Sequence, residues 1–188
     1  MKTKWHNGAI LPRKFYARSP VVVAQELLGK VIVHGAASGM IVETEAYLGT
    51  GDAAAHSARG ITPRTKVIFG PPGFAYVYLI YGMYYCLNFV TGEDGHAGCV
   101  LIRALEPISG VRDSHDGRPC NGPGKLTRAL GITLAQNATD LITGPIQVLK
   151  HKRGETFDIN TSPRIGITKS ADLPLRFFIA GNPHVSQF

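Results

Sequence analysis

Apolar and polar positions alternate every second residue through the middle of the chain, and that period predicts strands. Phe74 to Ile80 and Tyr84 to Val90 carry it on either side of Tyr81-Gly82-Met83, after a sharp break at Pro71-Pro72-Gly73. The two runs read as a hairpin with Phe74, Tyr76 and Tyr78 on one face and Ala75, Val77 and Leu79 on the other. A second hairpin runs from the β-rich Lys30–His34 through the turn Gly35–Gly39 to a returning strand over Met40–Tyr47. Cys99–Leu105 is nearly all apolar and predicts a buried strand. Gly144–Lys150 and Arg176–Ala180 read as strands closing a sheet, and Arg164–Ile167 as a further strand-like piece.

Helical signals are fewer and shorter. Ser19-Pro20 supplies a cap and a first-turn proline for VVVAQELL, with Gly29 as the stop. Asp52 can cap a short turn carrying His56, and Thr62-Pro63 opens another that carries Arg64 and Lys66. Lys125–Leu130 predicts a short helix stopped by Gly131, after a polar loop over Val111–Gly124. Met1–Tyr16 is basic and irregular and reads as a loose arm. No repeat or linker divides the 188 residues. The expectation is one α+β domain with a mainly antiparallel sheet, short flanking helices and a protruding hairpin.

Three features stand out against this pattern. Glu43, Glu45 and Tyr47 share one strand face, and neighbouring carboxylates are costly there unless paired. They read either as a catalytic acid or base beside a stacking ring, or as an exposed face with a tyrosine covering an edge. Arg103, in the middle of the apolar strand, demands a carboxylate or a cleft. Tyr81 sits at a hairpin tip with nothing local to bury it, as a residue built to wedge between bases would.

Charge narrows the partners. Net +7 with dispersed bases points to a folded face for an anionic ligand. Arg64 and Lys66 could hold phosphate or be ordinary solvated charges, and NGPGK could set backbone amides against a phosphate without being a Walker motif. Three cysteines without C-x-x-C spacing support neither zinc nor a disulfide framework. No signal-type segment and no membrane-spanning run is present, so a reducing cytosol is the default.

IVETEAYLG, DAAAHSA, TPR, YVYLIYGMYYCLN, VLIRALEP, GPGKL and PLRF, in that order, resemble the alkyladenine (3-methyladenine) DNA glycosylases of the mammalian type. The resemblance covers about Gly29 to Pro183 and is weak over Val111–Cys120 and His151–Pro163. It implies a DNA repair enzyme that flips alkylated or deaminated purines (3-methyladenine, 7-methylguanine, hypoxanthine or ethenoadenine) from duplex DNA. An activated water then hydrolyses the N-glycosidic bond, which initiates base excision repair. Glu45 would be the general base, with Arg103 and the backbone carbonyl of Ile165 positioning the water. Tyr47, His56 and Tyr78 would enclose the base, and Asn88 would disfavour the amino group of normal guanine. Tyr81 would fill the gap in the stack, Met83 and Tyr84 would line the minor groove, and Arg64 and Lys125 would serve phosphates. No lysine stands beside the acid, so the resemblance implies a monofunctional, monomeric enzyme without metal or cofactor. It would be cytoplasmic and nucleoid-associated in a prokaryote, nuclear in a eukaryote.

Two other readings remain open on the residues alone. One is a glycosidase or nucleoside hydrolase using Glu43 and Glu45 as a pair. The other is a non-catalytic nucleic-acid binding module.

Overall fold

A computed structural model describes residues 8–150 and 156–186. Its frame is one antiparallel sheet. The strands are β1 (Val31–His34), β2 (Ala37–Tyr47), β3 (Ala75–Ile80), β4 (Tyr84–Thr91), β5 (Gly98–Ser109), β6 (Ile146–Leu149), β7 (Ile159–Ser162) and β8 (Arg176–Ile179). They follow the order β3-β4-β5-β2-β1-β6, with β8 on β2 and β7 on β8. Helices α1 (Arg13–Tyr16), α2 (Pro20–Leu27) and α3 (Pro123–Leu130) flank them. Both predicted hairpins form, and the α+β expectation holds.

The sheet turns on β2. Along one edge β2 lies against β5. Along the other, Ala37–Met40 pairs with β1 and Glu43–Glu45 pairs with β8. The change of partner coincides with register shifts against β5 on either side of Glu43. Such bulges twist a strand and re-aim its side chains, and they gather next to active sites.

Period two then sorts the residues. Val42, Ala46, Ala75, Val77, Leu87, Phe89, Val100, Ile102 and Ala104 face a core shared with Val23, Ala24 and Leu27 of α2 and Leu126, Ala129 and Leu130 of α3. Thr44 joins this side, its buried hydroxyl donating to the Ala24 carbonyl at 2.9 Å. The intervening positions of β2 to β5 are left for the other face, which holds the site.

Four expectations need correction. The arm is not loose over residues 8–16: Leu11 and Tyr16 are buried, and Arg13 bonds the Pro72 carbonyl at 2.7 Å and Asp140 at 2.6 Å. Met1–Asn7 lie outside the described residues. Thr62–Phe69 is a chain of turns rather than an α-helix, because most of its backbone bonds span three residues, as from the Ile68 N–H to the Thr65 carbonyl and from Phe69 to Lys66. Asp52 caps no helix directly; the short 3-10 turn begins at His56, and Asp52 instead accepts from the Leu48 and Ala54 amides. Arg164–Ile167 is a bend rather than a strand, while β7 was not foreseen.

The anchoring of the first segment is measurable. Leu11 is 1% exposed, so Leu11→Ala should lower the unfolding free energy by about 2–4 kcal/mol in urea denaturation. A change below about 0.5 kcal/mol, the range of ordinary surface substitutions, would restore the loose arm.

Candidate active site

Alternation makes the pocket. Tyr47 from β2, Tyr76, Tyr78 and Ile80 from β3, Tyr84, Cys86 and Asn88 from β4, and Cys99, Leu101 and Arg103 from β5 line a cavity of about 510 Å³. His56 and Ala54 enter from the β2–β3 connection, the segment Asn121–Lys125 from the start of α3, and Ile165–Ile167 from the bend before β8. Gly124 lets α3 approach β4, since a Cβ there would meet the Tyr84 ring at 3.0 Å.

Glu45 lies immediately behind this lining, fully buried. Three lining residues hold it. Its Oε1 accepts the Ile165 N–H at 2.8 Å and pairs with Arg103 Nη1 at 3.2 Å, while Oε2 accepts the Tyr47 hydroxyl at 3.0 Å. A carboxylate has about four lone-pair sites, so among the described residues one site on Oε2 is uncommitted. Burial raises the Glu45 pKa above the usual carboxylate range, opposed by Arg103, the Ile165 amide and the Tyr47 hydroxyl. Ile165 was expected to act through its carbonyl; the contact seen is its amide.

Glu43 is different. It is fully buried, absent from the lining, and accepts four hydrogen bonds: from Arg103, from Arg176 and twice from Ser186. Three of these fall on Oε1 and one on Oε2, and of the donors only Arg103 lines the cavity, whereas all three partners of Glu45 do. The two acids therefore differ in company: Glu45 is held by the pocket lining, and Glu43 mainly by Arg176 and Ser186 outside it.

The aromatic walls have their own supports. The Arg164 guanidinium stacks 4.6 Å from the Tyr47 ring centre and pairs, wholly buried, with Asp52 at 2.5 and 3.0 Å. Its Nη1 also donates to the Ala46 carbonyl at 3.0 Å. Because Arg164 precedes Ile165, the same anchor fixes the amide that reaches Glu45. His56 Nδ1 lies 2.9 Å from the Tyr76 hydroxyl, and its ring stands edge-on to Tyr78 with centroids 4.6 Å apart. Burial, then the charges of Arg64 and Arg59, press the His56 pKa down to about 4, so the imidazole is neutral near pH 7. Asn88 is buried and oriented by donating to the Tyr76 carbonyl at 3.2 Å.

The predicted DNA contacts divide. Tyr81 is 79% exposed, and Met83 and Tyr84 are exposed beside it. Lys125 reaches the cavity and bonds Asp116 and, at 3.0 Å, Asn121. Arg64 is exposed but stands against the wall, its guanidinium 4.8 Å from the Tyr78 ring centre. Sequence reasoning missed Arg164, Arg176 and Ser186, whose partners lie more than a hundred residues away. The adjacent glycine in Arg164-Ile165-Gly166 was the one local hint of a bend.

Among the described residues no helix is long and apolar enough to cross a membrane, and no cluster of three or more His, Cys, Asp or Glu could hold a metal.

Comparison with known proteins puts this arrangement among the DNA glycosylases, enzymes of DNA repair. The model of the family described as Methylpurine-DNA glycosylase (MPG) matches residues 14–183, and the chain belongs to that family. A Koribacter versatilis protein is 48% identical over 95% of this chain and 93% of its own length. One from Methanoculleus marisnigri is 49% identical over 94% of this chain and 98% of its own. One from Legionella pneumophila (strain Lens) is 48% identical over the same shares. All three carry the name "Putative 3-methyladenine DNA glycosylase". These relatives are bacterial and archaeal, so the comparisons define the family and not its mammalian branch.

The hairpin tip supplies a stability prediction. Tyr81 and Gly82 both have positive φ, 53° and 69°, with the Met83 N–H on the Ile80 carbonyl at 3.2 Å. This is a hairpin turn whose first central position suits Gly or Asn, not a bulky L-residue. Tyr81→Gly should therefore raise the unfolding free energy by about 0.5–1 kcal/mol. A lower midpoint in thermal melts would show instead that the ring packs against the fold.

Proposed function

We propose that this glycosylase, acting as a monomer, flips a damaged purine out of duplex DNA into the aromatic pocket and hydrolyses its N-glycosidic bond. Such a cytoplasmic enzyme would initiate base excision repair on 3-methyladenine, 7-methylguanine, hypoxanthine and ethenoadenine. The observation that carries the reading is Glu45: a buried carboxylate held by three pocket residues, with one acceptor site left on Oε2. A water bound there loses a proton to Glu45 as its oxygen attacks C1′, and the bond to the base breaks with its electrons leaving on the purine. The anionic carboxylate also stabilises the oxocarbenium-like sugar. Arg103 and the backbone of Ile165 position the reacting groups.

The remaining residues select the substrate. Extrusion costs roughly a few kcal/mol, least for damaged pairs, and Tyr81 offsets part of that by filling the stack. Tyr47, Tyr78 and His56 enclose the flipped base. His56, neutral, offers a polar contact without adding positive charge against an alkylated purine. Asn88, held by the Tyr76 carbonyl, disfavours the guanine amino group. Met83 and Tyr84 follow the minor groove, and Lys125 serves a phosphate. Arg64 does the same from a position that also supports the Tyr78 wall.

Glu45→Gln should bind lesion duplex as tightly as the parent while single-turnover excision falls about 10²-fold or more. The parent's rate should fall as pH drops through the Glu45 pKa. Because that pKa is raised, the acid limb lies at higher pH than an exposed glutamate would give. His56, protonating only near pH 4, contributes no limb near neutrality. An active Glu45→Gln variant, or a limb set by His56 substitution, would refute the assignment.

A further inference from the structure

Catalysis by Glu45 leaves unexplained why a second carboxylate is buried two residues away. Glu43 Oε1 accepts from Arg103 Nε at 2.9 Å, Arg176 Nε at 2.7 Å and Ser186 Oγ at 2.8 Å. Its Oε2 accepts the Ser186 amide at 2.7 Å. Arg103 Nη2 also reaches Ser186 Oγ, at 3.4 Å, leaving Nη1 for Glu45 at 3.2 Å. Arg176 extends the set to the Ser162 hydroxyl at 3.0 Å and the Ser186 carbonyl at 3.4 Å. Arg103 is thus shared: its Nε edge belongs to Glu43, one arm to Ser186, and only the other arm to Glu45.

An arginine facing a lone carboxylate tends to close on it with two parallel bonds. A fork of that kind on Glu45 would occupy both oxygens, and the site left on Oε2 would be lost. We infer that Ser186, with Glu43 and Arg176, is a positioning set that restrains Arg103 to a single contact with Glu45 and so keeps Oε2 open for the attacking water. The inference rests on the reading of Glu45 as the base. Two carboxylates and two guanidiniums make the cluster neutral, the condition under which buried charge is tolerated. Ser186 is 143 residues from Glu43 and is not itself part of the cavity lining, which it meets at Arg103, so its effect on catalysis passes through Glu43 and Arg103.

The test is Ser186→Ala in the full chain, with Ser186→Thr as the hydroxyl-retaining control and Glu45→Gln in parallel. Single-turnover excision, affinity for duplex carrying an abasic-site analogue, and the pH–rate profile are measured. Ser186→Ala should excise about tenfold more slowly, as expected of a small misplacement of reacting groups, with affinity unchanged. Its acid limb should move to lower pH, because a released Arg103 closes on Glu45 and favours the carboxylate. The other groups facing Glu45 stay in place: Tyr47 and Glu43 on β2, the Ile165 amide, Arg164 beyond it, and Cys86 on β4. Ser186→Thr should restore both rate and limb. An unchanged rate, a slower rate with an unmoved limb, or a limb moved to higher pH overturns the inference. If Ser186→Ala unfolds, Arg176→Lys replaces it, with the same rate loss and limb shift expected and the same overturning results. An inactive Glu45→Gln beside any of these failures leaves the base assignment standing; an active one removes it separately.

Discussion

The site depends on one shared cation. Arg103, in the middle of the apolar run Cys99–Leu105, is buried between two carboxylates and satisfies neither alone. Removing either acid would leave uncompensated charge in the interior, a loss of several kcal/mol in comparable cases. The sheet is arranged to make the meeting possible. β2 brings both acids to one face, β5 brings Arg103 opposite them, and β8 brings Arg176 along the other edge. The bulges around Glu43 lie where these three strands meet. Local backbone irregularity and buried charge are thus two aspects of one construction.

A second ion pair supports the pocket from outside. Asp52 and Arg164 are both buried and bind each other through two contacts. Arg164 lies against Tyr47, and its neighbour Ile165 donates to Glu45. One anchor therefore fixes a wall ring and a backbone donor together. A residue on a bend has little local restraint, and this pair supplies it from a distance. Catalytic geometry on loops generally needs such support.

Much of the scaffold could be read from period two. The strands from Phe74 to Val90, the hairpin ending in Tyr47, and the burial of Cys99–Leu105 follow from alternation and turn residues alone. The shared face of Glu43, Glu45 and Tyr47 follows from the same rule, as does the need of Arg103 for a carboxylate. Alternation could not choose between the acids, because what separates them is the company they keep. Glu43 is held by Arg176 and Ser186 from the far end of the chain, and no local pattern announces those contacts. The arm was misjudged for the same reason: Leu11 has no periodic neighbours, and its burial against the Val148 backbone is purely tertiary. Asp52 looked like a cap because its true partner lies 112 residues on.

The electrostatics of the walls change how the aromatic residues are understood. Tyrosine faces attract cations, which suggests a pocket tuned to positively charged alkylated purines. Here, however, Tyr47 and Tyr78 each carry a guanidinium against one face, at 4.6 and 4.8 Å. A cation already stacked on a ring draws its π-density and repels a second cation across it. Together with Arg103 near the base of the pocket, this leaves less attraction for a charged purine than the rings alone would give. Shape and stacking, which act equally on neutral bases, then carry more of the binding. The positive charge of an alkylated purine acts instead on departure, since a cationic base leaves as a neutral molecule. On the proposed reading the pocket would admit flat purines of either charge, with Asn88 disfavouring the guanine amino group and the ease of breaking the bond adding to the selection.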